Sequence, residues 1–387
     1  HKMFTPVTLQ DWENLVKKQL KTDDIYAILS KENLEGISVK PYYDKSPENL
    51  QNLPKVEEST HLVAKYQEGL EEDAYAFLLN YNVEKLSDKT IFVANEDLAG
   101  HITLSEENRY FSLIDVFVNS EMNSQLAEEL LSKNFERNIC VDASLYQNAG
   151  ASITQQLAFA LGKAKDLAEI FGAEILNKLV FKFAIGANYF FEIAKIRAFK
   201  MLFNQFSKEF NLDLIPYIFA ETSLRNKAKN DEENNLIRST LEIAAAMIAG
   251  SDAVFANDFK VQNSNTLSEE ISFKQQVVLA YESIINVFED AANGSYYVEE
   301  ITHQLAENAW KLFLELENSG GFVENLKSGK IAEIIYNQAI AEQNWVEEGK
   351  IKLIGVNLYP KLEKTKSVEE LYNAKEIKAV RLAEMFE

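Results

Sequence analysis

Histidine and cysteine are scarce in this sequence, and their scarcity limits the chemistry that it can support. The 387 residues include four histidines and one cysteine, and no histidine lies between residues 102 and 302. Zinc sites, catalytic triads and many acid–base pairs depend on histidine. We therefore expect no metal site and no histidine-based catalysis in the middle of the chain. The single Cys140 cannot form an intrachain disulfide, which fits a reducing cytoplasm.

Long apolar runs, phosphate-binding loops and an excess of positive charge are also missing. No apolar run approaches the roughly 18 residues that a membrane helix needs. Neither a Gly-x-Gly-x-x-Gly nor a Gly-x-x-x-x-Gly-Lys loop occurs. The formal net charge is -21, and such a surface repels phosphate backbones and anionic lipids. We expect a cytoplasmic protein with no nucleic-acid and no membrane partner.

The sequence does contain a regular alternation of short apolar runs and helical patterns between about residues 74 and 356. The clearest unit is the run Ile139–Ala143, followed by a helix for which Ser152 and Gln155 form a capping box. Eight runs are predicted as strands, namely Tyr75–Asn80, Ile91–Ala94, Ser112–Val118, Ile139–Ala143, Leu179–Ile185, Leu214–Phe219, Ala253–Ala256 and Lys352–Val356. This alternation predicts an α/β protein, a (β/α)8 TIM-type barrel with an extended N-terminal arm.

Three regions are predicted along the chain. Residues 1–60 form the arm, in which a short amphipathic helix starting near Thr8 precedes an extended, proline-containing linker. Residues 61–360 form the barrel. Residues 361–387 form a charged linker, helical from about Ser367, towards a C-terminal domain that the sequence lacks. The arm is too poor in apolar residues to fold alone, so it packs on its own barrel or on a partner subunit, and the sequence leaves both open.

Charged side chains offer two candidate sites. Arg225, Lys227 and Lys229 follow a predicted strand, where they would either bind an anionic ligand or balance the adjacent acidic turn. An independent barrel isomerase or lyase would instead need acids at strand ends. The candidates for that role are Asp115, Asp142 and Asp252.

Seven short motifs, in order and spanning roughly residues 140–387, resemble those of the methylmalonyl-CoA mutase family. They are Asn148-Ala149-Gly150-Ala151, Gly186 through Ala198, Thr222-Ser223, Asn234 through Thr240, Gly294-Ser295-Tyr296-Tyr297, Gly320-Gly321 and Gly355 through Pro360. No single motif is diagnostic, whereas seven in register are. Residues 4–43 are similar to the arm of the family's small, or beta, subunit.

The resemblance implies a CoA-ester-binding barrel, which in catalytic subunits lies over a C-terminal adenosylcobalamin domain and interconverts methylmalonyl-CoA and succinyl-CoA through radicals. The positions that correspond to the catalytic tyrosine, histidines and arginine of catalytic members are Ser144, Leu145, Tyr217, Phe219 and Phe255. Leucine cannot hydrogen-bond a thioester carbonyl, and a lost arginine removes a charge-assisted bond of about 1.5–3 kcal/mol. The cobalt-binding triplet Asp-x-His-x-x-Gly is absent as well.

These departures from the family pattern imply a non-catalytic small subunit that supports a catalytic large subunit in a heterodimer. Adenosylcobalamin is then expected on the large subunit, and no cofactor on this chain. Whether the isolated chain self-associates stays open. Because apolar groups in a vacated pocket gain by meeting each other, we expect Leu145, Tyr217 and Phe219 to fill the barrel.

Overall fold

Parallel strands form the central sheet of this computed structural model, which describes residues 6–45, 50–118 and 120–387. The predictions that fall on residues 1–5 and 46–49 lie outside the described residues. In chain order the strands are β1 His61–Lys65, β2 Ala76–Leu79, β3 Thr90–Val93, β4 Arg109–Ser112, β5 Phe117–Val118, β6 Glu121–Met122, β7 Ile139–Asp142, β8 Leu179–Ile185, β9 Tyr217–Thr222 and β10 Ala253–Phe255. β5 and β6 form a separate antiparallel ribbon, and the other eight form the sheet.

The eight strands close into a ring. β1 pairs with both β2 and β10, and the pairing continues through β3 and β4 on one side and through β9, β8 and β7 on the other. Two parallel bridges, from Phe111 to Arg137 and from Asp115 to Cys140, join the two ends of this order. The prediction of a (β/α)8 TIM-type barrel is confirmed.

Helices cover the outside of the ring. They are α1 Leu9–Leu20, α2 Ile25–Leu29, α3 Glu96–His101, α4 Ser124–Leu131, α5 Ser144–Ala149, α6 Ile153–Phe171, α7 Tyr189–Lys208, α8 Glu233–Ile248, α9 Thr266–Tyr281, α10 Tyr296–Asn318, α11 Phe322–Lys327, α12 Lys330–Glu347 and α13 Val368–Leu371, with 3₁₀ turns at Ala173–Lys178 and Leu382–Phe386. α10 packs across α6 and α7 as an additional layer. Within the described part of the chain, no helix has the length and apolar character that crossing a bilayer requires.

Side chains of each strand alternate between the barrel axis and the surrounding helices. In β8, Val180 belongs to the apolar cluster on the axis, whereas Phe181 and Phe183 belong to the larger core under the helices. Both faces of the strand are buried, and strands of this kind read as continuous apolar runs. Lys182 is the one charged residue of β8, and it lies on the axial face beside Val180.

Two strand predictions fail at opposite ends of the barrel. The sequence analysis gives no strand at His61–Lys65, where the run contains only three apolar residues between two polar ends, and this segment is β1. The predicted strand Lys352–Val356 is wrong, because the segment is a turn with a single bridge from Ile354 to Leu358. The number of strands was right only because the two errors cancel.

Two further predicted strands are displaced along the chain. The run Ser112–Val118 starts where β4 ends, and the run Leu214–Phe219 starts before β9 does. In the second case the shift matters for function. Tyr217 and Phe219 belong to the body of a strand and not to the loop that follows it.

The arm contacts the barrel at several places, and we call the contact made by Leu34 and Glu35 the arm clasp. The carboxylate of Glu35 accepts hydrogen bonds from the backbone N–H groups of Ile153 (2.7 Å) and Thr154 (3.1 Å) at the start of α6. Gln338 on α12 donates to the backbone oxygen of Leu34 (3.1 Å). α1 begins after a capping box at its N-cap, as predicted, and has no buried residue. The clasp therefore packs on its own barrel while α1 stays largely solvent-accessible.

Residues 361–387 lie against the same end of the barrel. The backbone N–H of Val380 donates to the oxygen of Asn148 (3.0 Å), and that of Leu382 donates to the oxygen of Arg225 (2.8 Å). Ser367 caps α13 as expected, but that helix lasts a single turn. The segment is thus held by the barrel and is mostly not helical.

Candidate functional site

Aromatic rings fill the axis of the barrel. Phe92 contacts Phe111 and Phe219, with ring centroids 5.3 and 5.0 Å apart. Phe111 stacks on Tyr217 at 4.8 Å, and Phe219 lies 6.5 Å from Phe255. Four of these five rings are buried, and Phe255 is partly buried. The middle of the barrel is a packed core and leaves no channel along these rings.

The expectation that Leu145, Tyr217 and Phe219 fill the barrel is confirmed for Tyr217 and Phe219, which are 0% and 1% exposed. It is wrong for Leu145, whose side chain is 43% exposed at the end of the barrel. The reason is the local helix geometry. Ser144 is the first residue of α5 and is buried, so the side chain of the next residue, Leu145, points outwards.

Charged side chains occupy the C-terminal end of the axis, above the rings. Lys182 of β8 lies 3.3 Å from a carboxylate oxygen of Asp142 and 3.3 Å from one of Glu221. Beside them, Lys163 of α6 donates to Asp115 at 2.5 Å. We call these five residues the mouth cluster. Parallel strands of a barrel place their last axial residues at one end, which is where barrel enzymes have their active sites.

Burial and ion pairing set the protonation of the mouth cluster. Burial disfavours the charge on Lys182, but Asp142 and Glu221 outweigh it and raise the pKa of the lysine above its usual value. Burial likewise disfavours ionisation of Asp142, but Lys182 and the hydroxyl of Ser144 outweigh it and lower that pKa. For Glu221 burial dominates, and the pKa is raised. Lys182 stays charged at neutral pH and cannot act as a nucleophile.

Burial also raises the pKa of Asp115, although Lys163 opposes the shift. Asp142 and Asp115 are linked, since the backbone N–H of Asp142 donates to the Asp115 carboxylate (3.0 Å). The cluster thus pairs lysines with carboxylates throughout. Such an arrangement is suited to holding the barrel end together and offers no free base.

Lys163, Lys182 and Glu221 are the three members of the mouth cluster that the sequence analysis missed. A signal for Lys182 exists, because it is the one charged residue in an otherwise apolar strand run. Glu221 was missed because the predicted strand ends at Phe219, which placed Glu221 in the following loop. Its position two residues after Phe219 puts it on the axial face of β9.

The structure separates the three acids that were candidates for an independent barrel enzyme. Asp115 and Asp142 belong to the mouth cluster. Asp252 precedes β10 at the opposite end of the barrel, where it accepts hydrogen bonds from the backbone N–H groups of Val56 (2.7 Å) and Ile218 (2.7 Å). A single site that uses all three acids does not form.

The three candidate phosphate-binding residues differ in their surroundings. Arg225 is 2% exposed and pairs with Glu342 at 2.6 Å. Lys227 is 2% exposed and pairs with Glu242 at 2.8 Å. Lys229 is only partly buried. The charges of the first two are already matched within the chain, and a role for any of the three in binding an anion stays a prediction.

The histidines of the described chain lie away from the mouth cluster. His61 opens β1 at the N-terminal end of the barrel, where it lies 3.6 Å from Glu57. His101 ends α3, and His303 lies in α10. Among the residues that the structure describes, no group of three or more histidine, cysteine, aspartate or glutamate side chains is placed to hold a metal ion. Burial raises the pKa of the Cys140 thiol well above its usual value.

Comparison with known proteins finds a matching family model and relatives that bear the same family name. Residues 129–387 match the family model described as methylmalonyl-CoA mutase. A methylmalonyl-CoA mutase small subunit of Porphyromonas gingivalis is 34% identical over 237 residues, which are 58% of this chain and 38% of that protein. A methylmalonyl-CoA mutase of Rhizobium meliloti is 31% identical over 246 residues, 60% of this chain and 34% of that protein.

A probable methylmalonyl-CoA mutase small subunit of Mycobacterium tuberculosis is 29% identical over 243 residues, 58% of this chain and 39% of that protein. In each case the match spans less than two fifths of the relative's length. The family match begins within α4, so it covers β7 to β10 of the barrel and the C-terminal segment.

Proposed function

The chain belongs to the methylmalonyl-CoA mutase family, and we propose that it is the non-catalytic small subunit of an adenosylcobalamin-dependent methylmalonyl-CoA mutase. One observation carries this proposal. The mouth, where a barrel enzyme would bind its substrate, is filled by paired charges, and stacked rings fill the axis below them. A barrel of this kind has the fold of a catalytic subunit but lacks the substrate cavity.

The side chains at the mouth support the same conclusion. A positioned general acid contributes about 10²–10⁴ in rate, and the matching positions hold Leu145, whose side chain has no proton to give, and two buried rings, Tyr217 and Phe219. No imidazole of the described chain faces the mouth, so the residues present do not fit a cobalt-ligating role. We propose that adenosylcobalamin binds to the large subunit.

The arm suggests where the large subunit binds. α1 has no buried residue, and it presents Leu15 and Leu20 at 55% and 41% exposure, with Ile28 of α2 at 57%. An exposed apolar stripe of this kind is typical of a surface that a partner covers. We propose that the clasp holds the arm on its own barrel while α1 and α2 contact the large subunit in the cytoplasm.

Turnover measurements test the proposal directly. We expect the purified chain, supplied with adenosylcobalamin and methylmalonyl-CoA, to form no succinyl-CoA. Addition of the large subunit is expected to give a stable complex that turns over. Measurable turnover by this chain alone would overturn the proposal, as would a large subunit that is equally stable and active without it.

The alternative is an acyl-CoA-binding barrel without turnover, in which Arg225, Lys227 or Lys229 binds the phosphates. Calorimetric titration of the chain with methylmalonyl-CoA distinguishes it from the first proposal. The filled axis predicts heat no different from dilution into buffer. A saturable heat that Lys229→Ala reduces would favour the alternative.

A further inference from the structure

One cavity beside the barrel end is separate from the mouth cluster. It measures about 380 Å³ and lies between the arm clasp, the start of α7 and α12. Cavities of 300–1,000 Å³ are the usual size of small-molecule sites. Its apolar wall is formed by Phe191, Trp345 and Leu353.

Two buried polar side chains line this cavity with hydrogen-bonding capacity to spare. Gln147 is 9% exposed, and its Oε1 accepts from the hydroxyl of Ser223 at 2.9 Å. Glu192 is 5% exposed, and its Oε2 pairs with Lys195. Among the described residues, neither Nε2 of Gln147 nor Oε1 of Glu192 has a hydrogen-bond partner. Both residues line the cavity, so a ligand with a matching acceptor and a matching donor can pair with these two atoms.

Gly186 keeps the space in front of these two atoms open. A Cβ at this position would lie 3.0 Å from Oε1 of Glu192 and 3.1 Å from Nε2 of Gln147. The backbone of Gly186 has no positive φ, so its conformation does not require glycine. The absence of a side chain here leaves room for a group that meets both the donor and the acceptor.

We propose that this cavity binds a primary carboxamide carried on an aromatic ring, a ligand of the benzamide class. The amide oxygen accepts from Nε2 of Gln147, and the amide N–H donates to Oε1 of Glu192, whose other oxygen pairs with Lys195. The ring packs on Phe191 and Trp345. A carboxylate in place of the amide is rejected, because it has no donor and repels Glu192. The proposal rests on this cavity alone and does not depend on the proposed function.

Ligand-detected nuclear magnetic resonance titration of the full chain tests it, with benzamide, benzoate and acetamide as probes. We expect benzamide to bind saturably with a Kd of about 1 mM or lower, acetamide to bind more weakly because it lacks the ring, and benzoate not to bind. Absence of saturable benzamide binding, or equal binding of benzoate, overturns the proposal.

Two glycine variants locate the site. Gly186→Ala is expected to weaken benzamide binding by about tenfold or more, the effect of losing one to two hydrogen bonds. Gly100→Ala is the matched control, since its Cβ meets only Glu129 at 3.7 Å and lies on α3; it should bind as the parent does. Parental affinity in Gly186→Ala contradicts the proposal. If that variant does not fold, Gln147→Met, which removes the donor, must show the same loss.

Discussion

Lys182 is the residue on which the mouth cluster depends. Its ammonium lies between two carboxylates whose side chains are 21% and 11% exposed, those of Asp142 and Glu221. Removing one member of a buried ion pair leaves an unpaired charge, and the cost exceeds the net value of the pair. The lysine is therefore more important for stability than its position in an enzyme-like barrel end would suggest.

We expect Lys182→Met to lower the free energy of unfolding by about 3 kcal/mol, because it leaves Asp142 and Glu221 facing each other. Urea denaturation followed by circular dichroism measures the change. Lys274→Met is the control, since Lys274 pairs with Glu270 on the surface and is 64% exposed. The loss of this exposed pair is expected to change the free energy of unfolding little. Equal losses in the two variants would show that the cluster is not a buried network.

The buried carboxyl of Asp166 is expected to make the free energy of unfolding depend measurably on pH. Burial raises its pKa to about 6, although the N–H of Val323 donates to the carboxylate at 2.8 Å and opposes the shift. Between about pH 4 and pH 6 the carboxyl of Asp166 is therefore protonated in the folded protein and ionised in the unfolded chain. Because the unfolded chain binds fewer protons, the free energy of unfolding falls as the pH rises through this range.

Asp166→Asn keeps an acceptor for Val323 and removes the titration. At pH 7 we expect the variant to be more stable than the parent by about 1 kcal/mol, and the difference should vanish below about pH 4. Denaturation curves recorded at several pH values give the slope of the free energy of unfolding against pH for the variant and for the parent. Parallel stability curves for variant and parent across this range would contradict the assignment.

At the scale of secondary-structure elements, the spacing of apolar residues along the sequence was enough to predict most of the barrel. The runs at β7 and β8 were recognised within one residue, because strands buried on both faces are almost wholly apolar. β1 was not recognised, since its end residues His61 and Lys65 are polar. Lys352–Val356 has the composition of a strand and is a turn. Pairing between distant segments decides such cases, and a local pattern does not contain it.

The same limit applied to the candidate site. The filled axis could be inferred from Tyr217 and Phe219, whereas the mouth cluster could not, because its lysines and acids come from five separate elements, namely the loop after β4, β7, α6, β8 and β9. Gln147 and Glu192 also belong to separate helices, α5 and α7, and only the fold shows that they share a cavity.

The arm clasp joins two elements through one carboxylate. Glu35 satisfies two of the N–H groups that every helix leaves free at its start, here those of Ile153 and Thr154. We expect Glu35→Ala to loosen this part of the arm without unfolding the barrel. Amide hydrogen exchange at these two residues and trypsin cleavage within α1 should both become faster.

Glu32→Ala is the control for the clasp. Glu32 is exposed and three residues earlier in the arm, so its loss should leave both measurements unchanged. If Glu35→Ala leaves exchange at the start of α6 as slow as in the parent, the carboxylate does not hold the arm.

For the whole molecule, the net charge of -21 opposes folding through self-repulsion. Raising the ionic strength from about 0.01 M to about 0.15 M shortens the screening length from about 30 Å to about 8 Å. We expect the free energy of unfolding to rise over this range. Neutralising three exposed glutamates, Glu84, Glu209 and Glu282, to glutamine should make that rise smaller. A stability that falls with salt would show that the ion pairs outweigh the repulsion.

The arm clasp also has a consequence in time. The bond from Gln338 to the oxygen of Leu34 spans 304 residues, and a ribosome that adds about 5–20 residues per second needs about 15–60 s to make that length. During synthesis the arm is complete long before the helix that receives it exists. Its apolar side chains are available to chaperones for that whole interval, and a segment made early is among the last to take its place.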